Sequence, residues 1–205
     1  MKLISQTIYF NSKRNQVRLI NGRVEKVHLT AERANFEASR LIQFHKAGLA
    51  VPKVLEAVEN MIFMEYIDAK PLPDLIEEWE QNPDIISQEK VAIGLVEWLA
   101  FFYKIVDPGE SRGDINGRNF LFDGDKIWGV DFEEVAQGTP LEDIGQLLAF
   151  ITTYHPANTH VKTQLSQMIA EQASKIFHID LDQIKHQQDL SIEFLKSRRK
   201  GLNSG

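Results

Sequence analysis

The chain has 205 residues, 23 Lys and Arg against 29 Asp and Glu, a formal net charge of -6 and 43% hydrophobic residues. That is enough apolar material for a packed core in one ordinary domain or two small lobes sharing a cleft, and the acidic balance argues against a whole-surface nucleic-acid binder. With no cysteine, disulfides and thiolate metal sites are excluded.

The first thirty residues read as strands over Ile4–Phe10, Gln16–Ile20 and Arg23–Leu29, and Asn21-Gly22 forms the tight turn between the last two. Thr30 can cap a helix whose Ala38, Leu41, Ile42 and His45 recur at helical spacing and which ends near Gly48. Val51–Leu55 and Met61–Tyr66 read as two more strands around Glu59-Asn60. Pro71, Pro73 and Asp74 then break the sheet pattern, which predicts helix from about Leu75 and a lobe boundary at 67–72. A second apolar helix is predicted from Ser87 and Lys90 through Phe102, stopping before Asp107-Pro108-Gly109. Residues 119–132 read as a hairpin turned by Asp123-Gly124-Asp125, and the chain from Leu141 to about Arg199 reads as helical. The N-terminus lacks the apolar core of a secretory signal, and no apolar run is long enough to span a membrane, so a soluble cytoplasmic protein is expected.

The chemistry concentrates in Arg112-Gly113-Asp114-Ile115-Asn116-Gly117-Arg118-Asn119 and, after the hairpin, Val130-Asp131-Phe132-Glu133. This pair of motifs resembles the catalytic loop and metal-binding triplet of the protein-kinase-like superfamily, nearest its aminoglycoside-phosphotransferase and choline-kinase branch. It is similar also to the compact atypical kinase that works with the tRNA-modifying KEOPS complex. The likeness runs through most of residues 5–150. It implies an α+β, bilobal kinase-like fold: a small antiparallel-sheet lobe with one helix over 1–67, and a mainly helical lobe over 68–205.

The chemistry asks for these residue types. A magnesium ion on ATP phosphates takes hard oxygen ligands from only one or two side chains, because it keeps several waters, and Asn119 and Asp131 fit that demand. The acceptor hydroxyl needs a carboxylate to orient it and take its proton, and Asp114 is the candidate. In the family pattern H-G-D-x-x-x-x-N, Arg112 stands where a loop-supporting His is usual. The resemblance further implies a strand lysine, Lys26, steadied by Glu37 on the following helix and directed at the phosphates. Lys13 is the rival lysine, and a solvated edge-strand Lys26 is the plain alternative.

Asn11–Asn15 lies where a phosphate-covering loop belongs. It has no glycine, which leaves backbone amides and the Ser12 hydroxyl as its donors. Met64-Glu65-Tyr66-Ile67 resembles the family's hinge, which implies that the Glu65 carbonyl and Ile67 amide meet the adenine edge, and the same letters suit an ordinary buried strand. Asp143, at a helix start, matches a residue that supports the catalytic-loop backbone. The short stretch from Glu134 to Glu142 leaves no room for a long peptide-docking segment. The acidic run Glu77, Glu78 and Glu80 reads as a solvated helix face, and the histidines show no H-E-x-x-H spacing for zinc. The basic tail Lys196, Arg198, Arg199 and Lys200 is capable of meeting RNA or an acidic protein partner, or is simply a frayed, solubilising end. The expectation is a magnesium- and ATP-dependent phosphotransferase acting on a small-molecule hydroxyl. A KEOPS-kinase-like ATPase or atypical protein kinase inside a larger assembly, and a nucleotide-binding pseudokinase, are the alternatives.

Overall fold

The computed structural model describes residues 7–10, 15–134 and 136–202, with side chains as far as Arg198. The chain divides into two compact units, Met1–Asp68 with Trp128–Glu134, and Ala69–Ile127 with Val135–Gly205.

In the first unit, β1 (Ile8–Phe10), β2 (Gln16–Ile20), β3 (Arg23–Val27), β4 (Val54–Val58) and β5 (Met61–Glu65) form an antiparallel sheet of order β1-β2-β3-β5-β4. Asn21 and Gly22 both take positive φ in the β2–β3 turn, the conformation that a two-residue hairpin needs. Helix α1 (Ala31–Ala47) is capped by Thr30, whose side chain accepts from the Arg33 amide, and is closed by Gly48 at φ 94. Its Ala34, Ala38, Leu41 and Phe44 are buried, as are Ile62, Phe63 and Met64 of β5. Phe132 returns to this core, its ring 5.0 Å from that of Phe44. Strand β4 begins at Val54 rather than Val51. The Lys53 amide is taken by the Glu65 side chain at 2.7 Å, and Val51 and Pro52 are buried ahead of the sheet.

The second unit is mainly helical: α2 (Leu72–Gln81), α3 (Ile85–Ile105), α4 (Pro140–Thr153), α5 (His160–Phe177) and α6 (Leu181–Leu202). Helix α2 starts three residues before the predicted Leu75, because Pro73 occupies the first turn, where its missing N–H has no partner to lose. Helix α3 starts at Ile85, since Asp84 rather than Ser87 is the cap and accepts from the Ser87 amide. The predicted C-terminal helical region is three helices, the first opened by a capping box between Thr139 and Glu142. Trp98 stacks on Phe102 and meets Phe120 edge-on, within a core that holds Leu95, Leu99, Leu147, Leu148, Leu165 and Ile169. Short strands β6 (Lys70–Pro71) and β8 (Phe120–Phe122) pair, β9 (Ile127–Gly129) completes their sheet, and β7 (Glu110–Ser111) pairs with β10 (Ala136–Gln137). Among the described residues no helix is long and apolar enough to cross a membrane.

Candidate functional site

In the first unit, Lys26 lies on the middle strand of the sheet, opposite Val17 of β2 and Ile62 of β5, and is only 5% exposed. The plain alternative of a solvated edge lysine therefore does not hold. Its ammonium is 2.8 Å from Glu37, 2.8 Å from Asp131 and 2.7 Å from Glu133. Glu37, 1% exposed, also accepts from the Phe132 amide at 3.1 Å. That bond ties helix α1 to the Asp131-Phe132-Glu133 segment. His28 Nε2 is 3.2 Å from the same carboxylate, and Nδ1 is buried with no hydrogen-bond partner among the described residues. Asn15, immediately before β2, donates its amide to Glu133.

Burial pushes Lys26 down, but the negative charges of Glu37 and Asp131 outweigh it and hold the ammonium above its ordinary range. Burial pushes Glu37 up, but His28 and the Lys26 charge outweigh that and hold its carboxyl below the usual range. The signs give a pH window. A depressed Glu37 contributes stability above its ordinary value of 4.5 that is lost as pH falls further, and a raised Lys26 contributes stability that is lost as pH rises beyond 10.5. Melting temperatures followed from neutral pH down to about pH 3 should therefore fall more steeply in the wild type than in Glu37→Gln. Parallel curves would remove Glu37 as the acid-sensitive group.

Asp131 takes φ 67, a left-handed conformation uncommon for a residue with a side chain, and its carboxylate is 41% exposed. Its oxygens are hard donors of the kind magnesium takes. His28, Glu37 and Glu133 also place one donor atom each within 4.8 Å of one another. The Lys26 ammonium already supplies the cation for two of these three.

In the second unit, Gly113 has φ 72, and a Cβ there would come within 2.7 Å of Ala136 Cβ, so glycine is required before Asp114. Asp114 is exposed. Asn119 is 7% exposed and donates Nδ2 to the Asp114 carbonyl at 3.0 Å, which orients the amide and leaves its oxygen to accept. Asp143, 1% exposed, accepts from the Arg112 amide at 2.8 Å and from the Tyr103 hydroxyl. Burial raises the Asp143 carboxyl despite those two bonds, and burial with the Asp143 charge raises the Tyr103 phenol. Arg112 is itself 2% exposed.

Glu65 ends β5, and Ile67, half-buried, follows it. Ser12 and the rival Lys13 lie outside the described residues. Glu80 anchors the 1%-exposed Lys162 at 2.8 Å and accepts from Thr159, while Glu78 pairs with Lys70 at the surface, so the acidic run is divided between structural and solvated roles. Lys196 and Arg198 are exposed.

Several of these contacts were not anticipated from the chain. His28 and Glu133 each stand two residues beyond a named site residue, and strand alternation puts such neighbours on one face. Tyr103 and Asn15 carry no such signal.

Residues 6–143 match the family model described as the RIO domain. A protein of Methanospirillum hungatei described as a probable bifunctional tRNA threonylcarbamoyladenosine biosynthesis protein is 26% identical over 117 residues, 57% of this chain. The chain spans only 20% of that relative's length. Among solved structures, a choline/ethanolamine kinase family protein from Mesorhizobium loti superposes with a TM-score of 0.55 at 14% identity, covering 95% of this chain and 88% of that one. APH(2")-IIa, solved with gentamicin, superposes with a TM-score of 0.54 at 13% identity, covering 87% and 93%. Both share the arrangement of an antiparallel sheet with one helix followed by a helical region, which shows the kinase-like α+β fold. With its model matched across well over half of its length, the chain belongs to the RIO domain family, a protein-kinase-like group.

Proposed function

We propose that this protein binds magnesium–ATP and transfers or hydrolyses its terminal phosphoryl group as the ATP-driven module of a tRNA-modifying assembly. The observation that carries the reading is the buried Lys26 ammonium, kept charged by Glu37, inside a RIO domain. A buried cation of this kind is a partner for phosphate oxygens once one of its facing carboxylates yields, and phosphoryl transfer depends chiefly on positioning and charge. The name of the Methanospirillum relative supports the tRNA-modifying setting over a free small-molecule hydroxyl as acceptor. The short Glu134–Glu142 connection leaves no place for a long peptide-docking segment, which suits a small-molecule or an unusual protein acceptor alike.

In this reading residues 1–67 form the nucleotide-binding lobe and 68–205 carry the catalytic loop. Lys26 engages the α- and β-phosphates, Glu37 holds it, and the Glu65 carbonyl and Ile67 amide meet the adenine edge. Asp114 orients the attacking hydroxyl or water and accepts its proton. Asn119 and Asp131 are the residues that would hold magnesium, which neutralises charge on the phosphates. Asp143 and Arg112 keep the loop in place. The basic tail is a protein-docking segment.

A thermal-shift comparison tests this. Ligand at a hundredfold excess over its Kd adds about 2.7 kcal/mol to the folded state. For a chain of this size that is a rise of about 5–10 °C with magnesium–ADP. Asp131→Ala should lose most of that rise. Equal shifts in both proteins would remove Asp131 from the metal site, and no shift in the wild type would end the reading.

A further inference from the structure

The Lys26 ammonium has three N–H donors, and three carboxylates face it, those of Glu37, Asp131 and Glu133. One positive charge against three negative leaves a formal -2 around the group that has to meet phosphate. A phosphate oxygen can approach this ammonium only where a carboxylate gives way. Glu37 is held in place by the Phe132 amide and lies against His28. Asp131, 41% exposed, is the one whose oxygens can turn elsewhere. Glu133 is only 9% exposed, and the oxygen that faces Lys26 also accepts from the Asn15 amide. It therefore remains as a fixed negative charge beside Lys26.

We propose that Glu133 is a specificity-determining residue that competes with phosphate oxygens for the Lys26 ammonium, so that the protein accepts a nucleotide carrying its divalent cation and rejects the metal-free form. The inference rests on the ATP-binding reading above. The physical reason is repulsion: free ADP adds negative charge to a cluster that is already negative, whereas metal-bound ADP adds far less and gives Asp131 another cation to face.

Calorimetric titration of the full chain with ADP, in excess magnesium and in chelator, tests the assignment on wild type, Glu133→Gln and Glu133→Ala. The melting temperature of each protein without ligand provides the check on folding. Wild type is expected to bind magnesium–ADP and to bind metal-free ADP far more weakly. Both variants should tighten metal-free binding by about tenfold or more and leave magnesium–ADP binding close to wild type. Folded variants whose metal-free affinity is unchanged overturn the proposal. So does a loss of magnesium–ADP affinity in both, which would make Glu133 a metal ligand. A wild type that binds ADP under neither condition overturns the ATP-binding reading itself, and the role of Glu133 with it.

Discussion

Lys26→Met should lower stability by about 3–5 kcal/mol, read as a fall in the urea midpoint at constant m. Methionine nearly fills the space of the lysine stem, so packing is not the main loss. The loss is the cation. Glu37, 1% exposed, would keep only the Phe132 amide and the neighbouring His28, and Glu133, 9% exposed, would keep Asn15. Leaving buried carboxylates without their ammonium costs the full desolvation penalty, which is why breaking such a pair is worse than never having built it. Lys26→Met with Glu37→Gln should recover part of the loss, because the double variant removes the uncompensated charge. The magnesium–ADP thermal shift should vanish in both. A Lys26→Met protein as stable as wild type would show that the three carboxylates are solvated and that the cluster is not an electrostatic unit.

Asp114→Asn should reduce ATP turnover by about 10²- to 10⁴-fold, the usual contribution of a positioned general base. The amide keeps the shape of the side chain and cannot take a proton. Stability should hardly change, because the Asp114 side chain is exposed. The loop's conformation is set by its neighbours: Gly113 at φ 72, the Asn119 amide on the Asp114 carbonyl, and Asp143 on the Arg112 amide. Magnesium–ADP binding should survive the substitution, separating the chemical step from nucleotide capture. Turnover near the wild-type rate, in the presence of whatever partner activates it, would remove Asp114 from the reaction.

The elements were legible where a local signal is unambiguous. Asn-Gly at 21–22 marks a hairpin, Thr30 and Gly48 bracket a helix, and the apolar run Met61–Met64 marks β5, because each depends on backbone preferences within a few residues. Boundaries failed where two signals compete. Pro71 and Pro73 read as breakers, yet proline is at ease in a first helical turn, and Ser87 stands three residues inside a helix that Asp84 caps equally well. Strand β4 was displaced because a side chain, Glu65, took the amide of Lys53 that the pattern assigned to the sheet.

By itself the sequence determined the strands and helix of the first 66 residues and the oxygen-bearing residue types in the two motifs, since these follow from periodicity, capping and spacing along the chain, while the fold class came from the resemblance that those motifs carry. Only the tertiary structure decided that residues 128–134 join the first unit, that Glu37 also holds the Phe132 amide, and that Glu133 crowds the Lys26 ammonium. It likewise decided that Asp143 gathers the Arg112 amide and the Tyr103 hydroxyl. Each of these contacts joins residues far apart in the chain, and no local preference encodes such a neighbour. They form because a buried charge or amide must find a partner, and which partner it finds depends on how the strands and helices pack.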